Sequence, residues 1–224
     1  MFESTLEKEN TISKVSIKKT SYFIIKRIFD VLISLIGLVL IIPFVLIVKL
    51  AYVISGDFST IFYKQTRIGK DGKKFKLYKI RSMVKDADKV LEKTLELDPI
   101  LNEEWKQNQK LENDPRITKI GKVIRKLSID EIPQFINVLK GDMSIIGPRP
   151  LVKGELDSHN GNHEIYESVR PGITGWWACN GRSATTYKKR LELEYYYCEI
   201  CSLSLDIKCV FLTIKAVLFR DGAK

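Results

Sequence analysis

A long apolar run near the N-terminus constrains this chain more than any other feature. The segment from Val31 to Val48, VLISLIGLVLIIPFVLIV, has 18 residues and no charge, which is about the length that an α-helix needs to cross the apolar core of a bilayer. A buried helix of a soluble protein is the alternative, but the run lacks the periodic polar residues of a helix with one solvated face. The segment therefore predicts a membrane helix.

Two features of this run argue against a simple crossing. Pro43 lies inside it and removes a helical hydrogen bond. Both flanks are basic, with Lys26 and Arg27 before the run and Lys49 after it, and basic flanks stay on the cytoplasmic side. We therefore expect residues 21–54 to form a re-entrant hairpin of two helices, broken near Pro43. A straight crossing is the alternative. Residues 1–20, rich in Lys, Ser and Thr, are predicted to be a mobile polar tail.

The overall charge points to anionic partners. The chain of 224 residues has 37 Lys and Arg against 27 Asp and Glu, a net charge of +10, which favours phosphorylated substrates, nucleic acid or an acidic membrane face. Nothing resembles a cleavable signal peptide, so we expect reduced cysteines. Cys198 and Cys201 form a C-x-x-C pair, but no second pair or nearby His completes a zinc site. We interpret the cysteines as small buried apolar residues.

Residues 55–224 are predicted to form one α+β domain, mainly helical, with a small β-hairpin. Two β-rich stretches surround Gly69-Lys70-Asp71-Gly72 and indicate the hairpin. Helical spacing of apolar residues marks residues 86–109, interrupted by Pro99, and a longer helix follows GRSATT through YKKRLELEYYYCEI. The final LSLDIKCVFLTIKAVLFR is a basic amphipathic stretch that either lies in the membrane interface or packs on the domain.

The stretch SIDEIPQ, residues 128–134, has a structural and a catalytic interpretation. Asp130 is a good N-cap for a helix that would run to Gly141. A carboxylate at a helix N-terminus is also stabilised as the anion, and an ionised Asp can attack phosphorus. Glu131 could then hold Mg²⁺ on a diphosphate, with Arg125 and the Arg149 of GPRP as cations for phosphoryl transfer. The residues alone leave both interpretations open.

Other catalytic machinery is not indicated. The two histidines, His159 and His163, both lie in the loop-like DSHNGNHE, so neither a His general base nor a His metal site is favoured. The chain has no G-x-x-x-x-G-K-[ST] loop and no G-x-S-x-G turn.

Taken in order, the motifs carry a resemblance that covers nearly the whole chain from Tyr22 onward. They are KRIFDVLISLIGLVLIIPFVLI, QTRIGKDGKKFKLYKIRSM, DPRITKIGKVIRKLSIDEIPQFINVLKGDMSIIGPRPL, RPGITGWWACNGR and LDIKCVFLTIKAVL. This set resembles the monotopic polyprenol-phosphate phosphoglycosyl transferases, or bacterial sugar transferases, which begin capsule, exopolysaccharide or glycoprotein-glycan synthesis. One departure is Trp177-Ala178-Cys179, where the family commonly has Ala-Gln-Val after the first Trp.

The resemblance implies a reaction and its partners. The enzyme would be Mg²⁺-dependent and would move a sugar 1-phosphate from a UDP-sugar to undecaprenyl phosphate, releasing UMP. It would sit in the bacterial inner membrane with its catalytic domain on the cytoplasmic face. Its product would pass to later glycosyltransferases, nucleic acid is not expected as a partner, and homodimer formation is left open.

The resemblance also implies roles for individual residues. Asp130 would be the nucleophile, through a covalent phosphosugar-aspartyl intermediate, and Glu131 would bind Mg²⁺. Further residues are implicated in the site or its charge network: Lys79 of YKIRSM, Arg125, the GPRP residues Pro148, Arg149 and Pro150, and Asp206 of LDIK.

Two other classes of function compete with this interpretation. A membrane-tethered protein that binds nucleic acid or anionic lipid would suit the charge, but no aromatic and basic interleaving of a nucleic-acid module is present. An ordinary glycosyltransferase would move the sugar alone and release UDP in place of UMP.

Overall fold

The computed structural model describes the backbone of residues 2–108, 111–181 and 185–219, and side chains from Thr20 onward within these ranges, except near their ends at 106–108 and 217–219. The helices are α1 (Phe2–Ile54), α2 (Ala87–Leu97), α3 (Pro99–Asn108), α4 (Lys119–Lys126), α5 (Gln134–Lys140), α6 (His163–Tyr166), α7 (Trp176–Cys179), α8 (Tyr187–Ile200) and α9 (Leu203–Phe219). The strands are β1 (Phe62–Ile68), β2 (Lys74–Ile80), β3 (Ser144–Ile146) and β4 (Gly172–Thr174).

This fold confirms the prediction of a mainly helical α+β protein with a small hairpin. The hairpin pairs β1 with β2, Pro99 separates α2 from α3, and α8 covers the helix predicted after GRSATT. The parallel pair of β3 and β4, with Ser144 opposite Gly172, was not predicted. Three residues per strand are too few to produce a readable alternation of apolar and polar positions.

Helix α1 contains the whole apolar run. It is assigned continuously through Pro43, where the sequence predicted a break between two helices. A proline inside a helix removes one hydrogen bond and kinks the helix without necessarily ending it. Residues 2–20, predicted as a mobile tail, are helical here, and both their mobility and the re-entrant course stay predictions.

The apolar side chains of α1 are largely exposed. Residues Thr20–Ile54 form a helix long and apolar enough to cross a membrane, and only 17% of its most apolar window is buried by the protein. Ile36 and Val39, for example, are each more than half exposed. A core helix of a soluble protein would cover such surface, because burying it is the main driving force of folding. This exposure indicates membrane association.

The chain divides into two compact units. Unit 1 comprises residues 1–39, 65–77 and 134–224, and unit 2 comprises residues 40–64 and 78–133. The core of unit 2 joins the end of α1 to β2 and α4, since Val48 and Tyr52 pack with Ile61, Ile80 and Ile124.

Three polar side chains of α1, just before its apolar run, attach it to three other elements of unit 1. The Lys26 ammonium lies 2.7 Å from the Asp206 carboxylate of α9. The Arg27 guanidinium donates to the carbonyls of Val138 and Leu139 at the end of α5. Asp30 accepts from the Ile145 backbone N–H of β3 at 2.9 Å. Lys26 and Arg27, whose charge indicated a cytoplasmic side, therefore also hold α9 and α5 against α1.

Helix α9 closes unit 1 with two different faces. Leu205 and Cys209 are buried in a cluster with Tyr197 of α8 and Ile146 of β3, whereas Phe211 is 69% exposed. Packing on the domain, one of the two alternatives for this stretch, is thus confirmed for one face, and contact of the other face with the membrane interface stays a prediction. Cys198 is also buried, as interpreted from the sequence, whereas Cys179 and Cys201 are only partly buried, so the interpretation holds for two of the four cysteines.

Candidate active site

The paired carboxylates of unit 2 converge on one lysine. Lys79, near the end of β2, places its Nζ atom 3.1 Å from Oε1 of Glu131 and 3.5 Å from Oδ2 of Asp130. The Asp130 side chain is 14% exposed, whereas that of Glu131 is 42% exposed. One carboxylate is therefore enclosed and the other faces solvent, with a shared cation between them.

The local backbone differs from the helix start predicted at Asp130. Asp130 lies inside a short 3₁₀ turn, Ile129–Glu131, and the following helix begins only at Gln134. Ser128, before the turn, has φ of 54°, a left-handed conformation that costs a non-glycine residue energy and often marks a functional turn. The predicted N-cap role of Asp130 is therefore wrong, because the chain reverses at Ser128 first. The predicted end at Gly141 is confirmed, with φ of 87°.

The electrostatics of Asp130 also differ from the sequence-based expectation. Burial raises the pKa of the Asp130 carboxyl above its ordinary value, and the adjacent Glu131 charge raises it further, while Lys79 and Arg125 partly offset this. Stabilisation of the anion by a helix dipole was expected, but a three-residue turn has almost no dipole. The nearby cations Lys79 and Arg125 favour the anion in place of a dipole, but burial outweighs them and the pKa is raised.

Arg125 is held in place by Ser82, a residue that the sequence did not single out. Its Nε donates to Ser82 Oγ at 2.9 Å. Gly121 permits this contact, because a Cβ on Gly121 would lie 1.8 Å from the Ser82 carbonyl oxygen. Helix α4 and the segment after β2 therefore approach closely at this glycine.

Replacing Gly121 with Ala is expected to destabilise the protein by about 1–3 kcal/mol, because the new methyl group meets backbone that cannot move aside. The Tm in detergent should fall, measured against Lys122→Ala at an exposed position of the same helix. A Gly121→Ala protein as stable as that control would contradict the close packing.

The GPRP residues of unit 1 present one exposed arginine from a buried loop. Pro148 and Pro150 are buried, and Arg149 between them is exposed. The backbone N–H of Arg149 donates to Glu194 Oε1 at 3.1 Å, and its carbonyl accepts from the Tyr166 hydroxyl at 3.0 Å. A guanidinium on a held backbone suits the binding of a phosphate group.

A comparison with protein families identifies the chain. The model of the family described as "Bacterial sugar transferase" matches residues 21–220. The chain belongs to the bacterial sugar transferase family. The matched residues include α1 from Ser21 onward, the carboxylate pair and the GPRP loop, so the family assignment covers both units.

Individual members of this family are similar over almost the whole chain. A UDP-galactose-lipid carrier transferase of Erwinia amylovora is 42% identical over 93% of this chain and 43% of its own length. An undecaprenyl-phosphate galactose phosphotransferase of Salmonella typhimurium is 44% identical over 92% of this chain and 43% of its own length. The exopolysaccharide production protein ExoY of Sinorhizobium fredii is 42% identical over 88% of this chain and 87% of its own length. This chain thus spans less than half of the first two relatives and most of the third.

The donor set of the carboxylate pair fits Mg²⁺. This ion is usually held by one or two carboxylates together with substrate phosphates and water, and Glu131 has its carboxylate partly open to solvent. Among the described residues, no group of three or more His, Cys, Asp or Glu is placed to hold an ion. Substrate phosphates and water are the usual remaining ligands of Mg²⁺ in such a site.

Asp206 of unit 1 is a carboxylate with three protein donors. Besides Lys26, it accepts from the hydroxyl of Tyr197 at 2.6 Å and from that of Tyr22 at 3.0 Å. These contacts explain why a charged residue is buried in α9. Its predicted part in the charge network of the reaction stays a prediction, as do the reactive roles of Lys79, Arg125, Pro148, Arg149 and Pro150.

Proposed function

We propose that this protein transfers a sugar 1-phosphate from a UDP-sugar to undecaprenyl phosphate and releases UMP. The observation that carries the proposal is the pair of Asp130 and Glu131 around the Lys79 ammonium, with Asp130 enclosed and Glu131 open. The printed names of the relatives, a UDP-galactose-lipid carrier transferase and an undecaprenyl-phosphate galactose phosphotransferase, support the two substrate classes.

In the first half of the reaction, a carboxylate oxygen of Asp130 attacks the β-phosphorus of the donor. The bond from that phosphorus to the bridging oxygen breaks, UMP leaves with the oxygen, and the phosphosugar remains on Asp130 as an acyl phosphate. Lys79, with Arg125 nearby, favours the ionised form of Asp130 and partly offsets the rise in its pKa that burial causes. We assign Arg149 to the diphosphate of the donor, because a bidentate guanidinium matches phosphate oxygens.

In the second half, an oxygen of undecaprenyl phosphate attacks the same phosphorus. The bond to Asp130 breaks, the carboxylate is restored, and the product is undecaprenyl diphosphate sugar. Glu131 would hold Mg²⁺, which neutralises phosphate charge when it is bound. The covalent step allows a soluble donor and a lipid acceptor to be handled one after the other.

The same proposal places the protein at the cytoplasmic face of the bacterial inner membrane. Support comes from the exposed apolar surface of α1 and from the solubility of the nucleotide donor in the cytoplasm. A re-entrant α1 would keep both ends of the helix, with the catalytic residues that follow, on that face. Later glycosyltransferases would then extend the lipid-linked sugar.

Nucleotide release tests the proposed function directly. Purified protein in nanodiscs would receive Mg²⁺, undecaprenyl phosphate and a panel of UDP-sugars, and the nucleotide product would be identified by chromatography. We expect UMP from at least one donor. UDP as the product would make the protein an ordinary glycosyltransferase, and the absence of any nucleotide product would favour a lipid-binding or nucleic-acid-binding role.

A further inference from the structure

The GPRP loop is defined here as residues 148–152, which begin at the first proline of GPRP and continue two residues beyond that motif. This loop is held along its backbone. Its contacts within unit 1 are Gly172 N–H to the Pro148 carbonyl (2.8 Å), Arg149 N–H to Glu194, the Tyr166 hydroxyl to the Arg149 carbonyl, Arg67 to the Pro150 carbonyl (3.3 Å), Ile68 N–H to the Leu151 carbonyl (2.9 Å) and Val152 N–H to Glu155 (3.1 Å). Only Arg149 is exposed among the four residues 148–151. The loop backbone is thus fixed by hydrogen bonds and presents one guanidinium, that of Arg149.

Two charged residues of helix α8, one turn apart, hold this loop, one directly and the other by way of Glu155. Glu194 binds the Arg149 N–H directly. Arg190 binds Oε1 of Glu155 at 3.3 Å, and the other oxygen of Glu155 accepts from Val152. Both residues are buried, Glu194 being only 1% exposed. Sequence reasoning missed them, although two charges four residues apart on a helix face that also carries Leu191 and Cys198 are a readable signal.

Burying a carboxylate at a helix interface costs free energy, because the charged group loses its contact with water. Apolar residues of similar volume often serve stability as well or better, and Oε2 of Glu194 has no protein partner among the described residues. The position therefore calls for an explanation other than packing. Its single protein hydrogen bond within that part of the chain goes to the backbone of Arg149.

That hydrogen bond fixes the one peptide plane that the two prolines leave free. The rings of Pro148 and Pro150 fix their own φ angles, and a following proline restricts ψ of Arg149. The plane between Pro148 and Arg149 can still rotate. Its carbonyl is bound by the Gly172 N–H and its N–H by Glu194, so the plane is held from both sides.

We propose that Glu194 is a positioning residue that sets the direction in which the Arg149 guanidinium leaves the loop. The inference rests on the proposed function in that Arg149 is taken to bind the diphosphate of the donor. Glu194 itself does not touch the substrate. Through the peptide plane it determines where the cation stands, and positional errors of an ångström can greatly weaken a catalytic interaction.

Two variants separate this role from simple packing. Glu194→Gln keeps an acceptor oxygen for the Arg149 N–H, and Glu194→Leu removes it while retaining an apolar side chain. Burial raises the pKa of Glu194 to about 7, so a neutral side chain resembles a form that the native protein already populates at neutral pH. We expect Glu194→Gln to preserve the hydrogen bond to the Arg149 N–H and Glu194→Leu to remove it.

Amide hydrogen exchange measures the hydrogen bond without any need for activity. Prolines carry no amide hydrogen, so among residues 148–151 only Arg149 and Leu151 have a backbone amide that exchanges. In the protein of residues 1–224 in nanodiscs, Glu194→Leu should speed exchange at Arg149 by roughly tenfold or more, the usual scale for a lost hydrogen bond to a charged group. Glu194→Gln should exchange much like the native protein.

Steady-state kinetics then tests whether the hydrogen bond between Glu194 and Arg149 affects binding of the UDP-sugar. Glu194→Leu should raise KM for the UDP-sugar by about tenfold, and Glu194→Gln should restore most of the loss. If Glu194 acts through Arg149, adding Glu194→Leu to Arg149→Ala should cost little more than Arg149→Ala alone. Tm values would be recorded for every variant.

Each result decides one part of the inference. Unchanged exchange at Arg149 in Glu194→Leu would overturn it, as would independent, multiplying losses in the double variant. If the native protein releases no UMP from any donor, the proposed function fails, while the exchange data still decide whether Glu194 holds Arg149. If Glu194→Leu does not fold, Glu194→Met replaces it, because it also lacks an acceptor for the Arg149 N–H; native exchange at Arg149 in that variant would overturn the proposal.

Discussion

Replacing Asp130 with Asn is expected to lower the rate of UMP release by at least ~10³-fold, the scale of loss when a covalent nucleophile is removed. The amide is close in size to the carboxylate, so the 3₁₀ turn and the contact with Lys79 need not collapse. It cannot attack phosphorus as an anion. The measurement is UMP release under single-turnover conditions, with membrane association followed by flotation.

The control for this variant is Asp88→Asn, which changes an exposed carboxylate of α2 within the same unit. It should retain native activity. In native protein quenched during turnover, mass spectrometry should find a phosphosugar adduct on a peptide containing Asp130, and Asp130→Asn should lack it. Substantial turnover by Asp130→Asn would sink its assignment as nucleophile.

Replacing Glu131 with Gln is expected to reduce activity by about 10²–10³-fold, the scale for losing one electrostatic group at a transition state. Glu131 is the more open of the two carboxylates and lies 3.1 Å from the Lys79 ammonium. Gln cannot offer a charged oxygen to a cation. The dependence of the rate on Mg²⁺ should therefore shift to higher concentration, measured from chelator-treated protein.

The matched control is Glu92→Gln, at an exposed position of α2. It should follow the native Mg²⁺ curve. An unchanged Mg²⁺ dependence in Glu131→Gln, with lower activity, would assign Glu131 to the charge balance around Asp130 and not to the metal. Whether or not Glu131 holds the metal, its charge contributes to raising the pKa of Asp130.

The carboxylate pair illustrates how far local sequence reasoning reached. The sequence of SIDEIPQ predicts an ordinary helix start, and its catalytic role stays a prediction. The structure has a left-handed Ser128 and a 3₁₀ turn, and burial reverses the expected direction of the Asp130 pKa. Capping rules use a few neighbouring residues, whereas burial depends on distant chain segments that cover the side chain.

The basic residues before the apolar run of α1 illustrate the same limit. Lys26 and Arg27 were interpreted as a topology signal, which needs only their charge and position. In the structure they bind Asp206 and the carbonyls that end α5. These partners lie more than 100 residues away along the chain, and no local pattern pairs a cation with a particular distant carbonyl.

Features that depend only on neighbouring residues were determined by the sequence itself. The uncharged run specified a long apolar helix, the glycine-rich turn specified a hairpin, and the helical spacing after GRSATT specified α8. In each case the periodicity and turn chemistry of neighbouring residues are enough. Only the tertiary structure decided which polar side chains meet, such as Glu194 with the Arg149 amide or Arg125 with Ser82. Those contacts depend on packing between segments far apart in sequence, and packing is a property of the whole chain.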